Sequence, residues 1–499
     1  MSKYDDIVNL ALRRSIFFPA SEIYSNSPKG MFDYGPYGAS IKRKIIDLWR
    51  KELVQKENFL EIDGAQIMPV DVFKASGHLK SFNDPITSCL KCNAVYRADK
   101  IISEVIGKEL PEAMPVEEYD KLIEENNVKC SKCKGRLEKV SKYSLMVKAL
   151  VGYQSKSECY LRPETCQSIF LDFARLNKTM RIKLPVGVSQ VGRSFRNEIS
   201  PRQTLLRSVE FSQMESEVFF DPEQINKIEN FDEIKDYEIS IQRHDKHGIE
   251  LVSAEELVNK KIVSGKLVAY YLARVQQLYE KYGIPVKSMR FREVPKDDRA
   301  FYSRETWDFE VKTSVGWLEL IANNYRTDYD LKGHMEQSSQ DMNFVYPDGK
   351  KVIPNVYEIS IGVDRTFYAI LEHCYKEEEK KGEKRILLSL PSGLAPFSAA
   401  VFPLLSNKAE LVEKAKKVYG LLNSCYEVFF DSTGSIGKRY ARMDEIGCPF
   451  CITIDFDSLE NDDITIRERD STEQKRIKIK DLQNTLFMLI TGMKRLRDF

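Results

Sequence analysis

The sequence predicts an α+β protein: a mostly antiparallel sheet flanked by helices, broken by two insertions and followed by a smaller mixed α/β domain. Three observations predict it. Residues 191–220 read as two strands, marked by Val191 and by Val209, Val218, Phe219 and Phe220, with Pro201-Arg202-Gln203 at the turn between them. Strands return at 305–322, ETWDFEVKTSVGWLELIA, and a strand-to-helix unit follows at 352–375. From residue 386 onward strands alternate with helices, the rhythm of a separate small α/β unit. At 499 residues the chain is long enough for two or three domains.

In chain order, residues 38–58 have helical spacing, with Ile41, Ile45, Leu48, Trp49 and Leu53 along one face and Lys and Arg opposite. A short strand, FLEIDGAQIMPV, follows and stops at Pro69. Such a helix and strand can build a subunit interface or simply cover the surface. Residues 89–150 read as an insertion and 222–300 as a second one, with a clear helix LVAYYLARVQQLYEKYG ended by Gly283 and Pro285. The charge run KEEEKKGEKR reads as a solvated linker. The resulting division is 1–88, 151–221 and 301–385 for the core, 89–150 and 222–300 for the insertions, and 386–499 for the last domain.

Composition narrows the function class. Formal net charge is +1, so no global field attracts nucleic acid, and any such surface must be a local basic patch. No apolar run approaches membrane length. The start carries Asp5 and Asp6 where a signal peptide would be basic and then apolar, so a cytoplasmic protein is expected. Ten cysteines in this context point to free thiols or metal ligands rather than a disulfide framework. Cys89, Cys92, Cys130 and Cys133 form two CxxC pairs, the spacing of a tetrahedral four-thiolate zinc site. Its role would be structural, since four thiolates leave no open position; uncoordinated thiols are the alternative. Cys448 and Cys451 form another CxxC, but without a second pair nearby they read as core thiols.

The stretch 191–220 sets Arg196, Glu198, Arg207, Glu210, Phe211, Gln213 and Glu215 on a strand-like background. Arg can hold phosphate oxygens bidentately, Phe can stack on a base, and Glu can accept from an exocyclic amine. A surface hairpin laced with ion pairs is the default for such a composition. It yields here because other stretches fit the same site.

With SFRNE at 194–198, IGVDRTFYAIL at 361–371 and the helix and strand ending at Pro69, the chain resembles the class II aminoacyl-tRNA synthetases. Within them it is similar to the glycyl-tRNA synthetases of the dimeric archaeal and eukaryotic type. The marks are DYGPYG at 33–38, ASGH at 75–78, YRAD at 96–99, RPETCQ at 162–167, GWLELIANNYRTDYDL at 316–331 and YEIS at 357–360. The resemblance covers nearly the whole chain. It implies an antiparallel class II catalytic core, a C-terminal anticodon-binding domain, a homodimer, and ATP, glycine and tRNA(Gly) as substrates with Mg²⁺.

The resemblance also implies roles. Arg196 holds the α-phosphate, Glu198 reads the adenine amine, Phe211 stacks under adenine, Arg207 lies near the β- and γ-phosphates and Arg365 closes the other face. Asn197, Leu206, Leu320 and Gly362 complete the ATP site, and Glu319 binds Mg²⁺. Adenylation of this kind needs aligned reactants and stabilised phosphate charge more than acid–base catalysis. Glu164, Glu215 and Glu358 surround the substrate ammonium. Phe211 and Gln213 also face glycine, Ser360 fills space near its α-carbon, and Arg97 and Arg326 lie over it. Rejecting alanine is then mainly steric, because attraction alone discriminates by only ~1–3 kcal/mol per methylene. Lys438, Arg439 and Arg442 on GKRYAR are candidates for tRNA phosphate contacts, or else a solvated helix face.

The chain departs from the family at three places. It has Val209-Glu210-Phe211 where Arg-Glu-Phe is common, Phe301-Tyr302 where His precedes Tyr, and Ser25-Asn26 where glycines are usual. None removes a charge that adenylation needs. A relative acting on serine, threonine or proline, and a non-catalytic synthetase-like protein, remain as alternatives; the three glutamates and the retained Arg196, Glu319 and Arg365 argue against them.

Overall fold

The computed structural model describes residues 2–108, 110, 114–155, 157–199, 201, 203–380 and 382–499. Its centre is a nine-stranded sheet whose strands, in chain order, are β1 (Leu60–Ile62), β2 (Val186–Phe195), β3 (Glu210–Phe220), β4 (Glu238–Gln242), β5 (Glu250–Ser253), β6 (Met289–Glu293), β7 (Glu305–Thr313), β8 (Gly316–Thr327) and β9 (Asn355–Gly362). Their order across the sheet is β5-β4-β6-β7-β8-β9-β3-β2-β1. All neighbours are antiparallel except β1 with β2 and β4 with β6.

Strand periodicity decides what each face does. Side chains alternate, so Met214, Val218 and Phe220 of β3 enter one core while Gln213, Glu215 and Glu217 share the other face. Tyr357, Ile359 and Ile361 of β9 join the same apolar core, which leaves Glu358 and Ser360 opposite. Helices cover the apolar side: α1 (Lys3–Arg13), α2 (Pro36–Trp49), α4 (Lys266–Lys281) and α6 (Val363–Cys374). Ile41, Ile45 and Trp49 of α2 are fully buried in that core, which is the face their spacing predicts. The other side carries α3 (Cys166–Met180) and α5 (Tyr329–Ser338), packed through Phe170, Phe173 and Leu331 against Val188, Phe219 and Val356.

Three expectations are corrected. The stretch 59–70 is two strands, not one: β1 joins the large sheet, whereas Ile67–Pro69 pairs with Ser157–Leu161. The backbone N–H of Gly64 is captured by Gln190 between them, so the chain turns from one sheet to the other. The segment 222–300 is not helical alone, because β4, β5 and β6 extend the large sheet. Its strands hide behind polar cross-strand pairs, such as Arg292 with Asp308 and Arg290 with Glu310. The charge run after α6 is a hairpin, Tyr375–Lys380 with Glu383–Leu388, whose charges sit on exposed edge strands. Arg202 of the expected turn between β2 and β3 lies outside the described residues.

At the first insertion a three-stranded antiparallel sheet forms, with Asn83–Ser88 in the centre between Val95–Arg97 and Ser141–Ser144. The last domain has a core of its own, built on β10 (Ala399–Pro403), β11 (Val428–Phe430), β12 (Phe450–Ile454), β13 (Asp463–Glu468) and β14 (Gln474–Lys478). Their order is β11-β10-β12-β13-β14, parallel across the first two pairs and antiparallel across the rest. Helices α7 (Ala409–Asn423), α8 (Ile436–Ile446) and α9 (Leu482–Ile490) flank it. Cys448 and Cys451 are buried thiols in a second cluster of this domain. Among the described residues no helix is long and apolar enough to cross a membrane.

Candidate active site

A cavity of about 210 Å³ opens on the polar face of the sheet, between the β2–β3 hairpin and the N-terminus of α6. Arg196, Glu198, Leu206, Arg207 and Phe211 reach it from the hairpin, and Glu319, Leu320, Gly362 and Arg365 from β8 and the β9–α6 junction. Asn197 does not line it; it is exposed, and its backbone N–H is tied to the Leu145 carbonyl.

Local geometry fixes the guanidinium groups. Arg196 stands between two aromatic faces, 5.2 Å from the Phe211 ring centre and 5.3 Å from that of Phe82, and donates its Nε–H to the Pro163 carbonyl at 3.2 Å. Arg365 donates to the backbone carbonyls of Leu206 and Glu319, each at 3.0 Å, and its Nη1 lies 3.9 Å from the Glu319 carboxylate. Arg207 donates to Glu198 at 2.7 Å, so the residues expected to serve opposite ends of a nucleotide are paired with each other here.

Asp364 went unnoticed in the sequence. It sits inside IGVDR, buried, and accepts from the Ser212 backbone at 2.6 Å, from Lys42 at 3.0 Å and from Tyr34. It ties α2 and β3 to the first turn of α6 and thereby sets where Arg365 stands. Its place between Gly362 and Arg365 was the available signal.

Beyond the cavity wall the sheet assembles carboxyls. Gln213 and Ser360 line the cavity, and both meet Glu215 on the inner side. Cross-strand register places Glu215 beside Ser360 and Ala322, and in the next row Glu358 beside Asn324. Glu164 arrives from the segment before α3. Burial alone would raise its carboxyl, but the imidazole of His78 at 3.2 Å and the nearby Arg326 hold it well below the usual range. Burial, reinforced by the Glu164 charge, raises Glu215 against hydrogen bonds from Ser360 and Thr165. Burial pushes Glu358 up to about 7, with Arg326 opposing. Arg326 is fully buried; it forks onto Asp330 at 2.7 and 2.8 Å, reaches Glu358 at 3.1 Å, and lies 3.8 Å from the Tyr302 ring centre. His78 belongs to the ASGH stretch that the sequence singles out, but its contact with Glu164 was not foreseen.

Arg97 does not reach the cavity wall. It closes the small sheet by ion pairs to Asp99 at 2.8 Å and Asp84 at 3.2 Å. On the nucleotide side, Glu319 is half-exposed; Glu310 of β7 is its cross-strand partner, and Asp308 of the same strand lies near enough to feel its charge. Burial and then the Glu319 charge push Asp308 up to about 8, against the opposing Arg292 guanidinium at 2.6 Å.

The four cysteines converge. Cys89 Sγ is 3.4 Å from Cys133 Sγ, and Cys92 Sγ is 3.6 Å from Cys130 Sγ, with all four sulfurs within 4.8 Å of one another. Those gaps are far too long for disulfides. They are close to the ~3.8 Å edge of a tetrahedron with ~2.3 Å zinc–sulfur bonds.

The basic cluster of α8 is corrected in part. Arg439 is buried and donates to the carbonyls of Pro403 and Leu404, so it braces the domain. Arg442 is paired with Asp431, and only Lys438 of the three is exposed.

Two families match the chain. The class II core domain of the tRNA synthetases for G, H, P, S and T matches residues 150–374, and the anticodon binding domain matches residues 398–487. The chain is 35% identical to a glycine–tRNA ligase of Methanothrix thermoacetophila, covering 99% of this chain and 98% of the relative. It is 36% identical to the glycine–tRNA ligase of Pyrococcus furiosus, covering 98% and 99%. Among solved structures, one titled as the RNA binding domain of threonyl-tRNA synthetase from Cryptosporidium parvum aligns with a TM-score of 0.59 at 18% identity, over 96% of this chain and 97% of that one. That likeness speaks to the fold.

Proposed function

Because the chain belongs to the glycine–tRNA ligase family of class II synthetases, we propose that the cavity takes ATP and that the carboxyl cluster behind Gln213 and Ser360 takes the ammonium of glycine. The enzyme activates glycine with ATP and transfers it to the 3′ end of tRNA(Gly). A glycine carboxylate oxygen attacks the α-phosphorus, the bond to the β-phosphate oxygen breaks, and pyrophosphate leaves with that electron pair. The terminal ribose hydroxyl of the tRNA then attacks the glycyl carbonyl and AMP leaves.

In this reading Arg196 and Arg365 meet phosphate charge as it develops, and Phe211 stacks on adenine. Glu198 releases Arg207 to accept from the adenine amine. Glu319, an oxygen donor on the cavity wall with Asp308 close by, suits Mg²⁺, which would neutralise phosphate charge when bound. Glu164, Glu215 and Glu358 set a negative potential where the ammonium arrives, and Ser360 closes the space a side chain would need. Residues 1–88, 151–221 and 301–385 carry the chemistry and 386–499 reads the anticodon. Family membership further supports a cytoplasmic homodimer, for which light scattering in solution is the check.

The observation that carries this reading is the convergence of Glu164, Glu215 and Glu358, from three separate segments, behind the cavity wall, with Glu215 one hydrogen bond from the wall residues Gln213 and Ser360. Its test is a pH profile. Glu358 is charged only above about 7, so kcat/KM for glycine in ATP–pyrophosphate exchange falls as pH drops through that value. The fall approaches about tenfold per pH unit, while KM for ATP changes little. Glu358→Gln removes the inflection and raises KM for glycine. A glycine profile flat across that range would discard the assignment.

The thiolate cluster is proposed as a structural zinc site. Atomic emission should find about one zinc per chain, and Cys130→Ser should abolish it and unfold the small sheet, since such sites supply ~10–16 kcal/mol of apparent binding energy. Full-length protein that is metal-free and equally stable would contradict this.

A further inference from the structure

Glu217 belongs to none of the expected sets. It follows Glu215 by two on β3, so it faces the same side, and it is the cross-strand partner of Glu358. It is fully buried. Five buried carboxyls meet here: Glu164, Glu215, Glu217, Glu358 and Asp330. Four of them are met by donors. Asp330 takes the Arg326 fork, Glu358 accepts from Asn324 at 2.7 Å, Glu215 from Thr165 and Ser360, and Glu164 from Cys166 and Gln167, each at 3.0 Å. Both oxygens of Glu217 have no hydrogen-bond partner among the described residues. An ionised carboxylate in a dry interior needs donors, and this one has none.

The charges around it point the same way. Facing Glu217 are Glu358 from β9, Glu215 from its own strand, Asp330 from α5, Cys166 from α3 and the cation Arg326 from β8. Arg326 is already committed to Asp330 and Glu358. A further negative charge at Glu217 would drive the proton onto Glu358 instead and remove the charge an ammonium needs.

We propose that Glu217 is a positioning residue of the ammonium subsite, held as a neutral carboxylic acid behind Glu358 so that the subsite's charge stays on Glu358 and Glu215. Burial, then the Glu358 charge, raise its carboxyl well above the usual range in keeping with this. Its uncharged carboxyl lies beside Glu358 in the cross-strand pair without hydrogen-bonding to it, a polar neighbour that an apolar side chain would not replace. The inference rests on the assignment of Glu215 and Glu358 to the ammonium of glycine.

The test compares pH profiles of glycine-dependent ATP–pyrophosphate exchange for the wild type, E217Q and E217M, with E358Q as the subsite control. E217Q, a neutral polar isostere, should keep the glycine KM within about threefold and leave the midpoint in place. E217M should move the midpoint up by about one pH unit and raise the glycine KM at neutral pH by about tenfold, leaving KM for ATP unchanged. An E217Q enzyme that loses glycine affinity as E358Q does would overturn the proposal by showing that a charge is needed at 217. An E217M enzyme identical to the wild type would overturn it by reducing Glu217 to a space filler. If E217M fails to fold, as judged by circular dichroism, the E217Q profile decides alone: a wild-type profile upholds the proposal and a shifted one overturns it. Failure of the underlying subsite assignment shows separately, as a wild-type glycine KM in E358Q.

Discussion

Arg196→Ala is expected to cut the rate of ATP–pyrophosphate exchange by about 10²–10³, the cost of removing one preorganised donor from a site of developing charge. The structure explains why the effect should fall on kcat. Arg196 follows directly on β2, its plane is restrained between Phe82 and Phe211, and its Nε–H is anchored on the Pro163 carbonyl. The guanidinium is therefore oriented in the free protein, so that in the proposed role it needs no reorganisation as charge shifts on the phosphate. Arg196→Lys keeps the charge but not the planar fork, so it should recover only a small part of the loss. The variant should fold normally, because its partners are a backbone carbonyl and two ring faces. Near-normal exchange by Arg196→Ala would remove this residue from the chemistry.

Arg326→Met should be the most destabilising single change in the site. The arginine is buried, with Asp330 and Glu358 on its nitrogens and Tyr302 and Phe170 on its faces. Methionine replaces much of the volume but leaves two buried carboxyls without their cation. Breaking a buried pair in this way costs about 3–5 kcal/mol. A second change, Asp330→Asn, removes one of the stranded charges and should restore part of the stability, a coupling that urea unfolding of the single and double variants would measure. Equal stability of Arg326→Met and the wild type would mean that the carboxyls simply take up protons and that Arg326 contributes little. Glycine activation should be lost in Arg326→Met and stay lost in the double variant, since the potential around Glu358 is not rebuilt.

The parts of this protein legible in its sequence are those where one local rule dominates. Val218, Phe219 and Phe220 announced a strand among charged and polar residues, and CxxC spacing announced a cluster whose sulfurs converge to 3.4–3.6 Å. Where two rules competed, the sequence misled. The edge hairpin after α6 is so charged that it reads as a linker, yet the backbone pairing of Tyr375–Lys380 with Glu383–Leu388 needs no apolar face. Arg439 carries the residue type of a tRNA contact, yet its helix turns it inward onto two carbonyls. Glu217 and Asp364 were missed for a different reason. Their significance lies in what stands across the sheet or at the next helix, Glu358 in one case and Lys42 with Ser212 in the other. No spacing along a single strand records that.

The measurement that bears most directly on the central claim is amino-acid dependence of ATP–pyrophosphate exchange by the wild-type enzyme with Mg²⁺ present, run with glycine, alanine and serine. A pocket that grips an ammonium through Glu164, Glu215 and Glu358 and leaves no room beside Ser360 predicts exchange with glycine alone. Exchange with alanine or serine at a kcat/KM comparable to that for glycine would contradict it, since the carboxyl cluster would then bind ammonium without closing the space around the α-carbon.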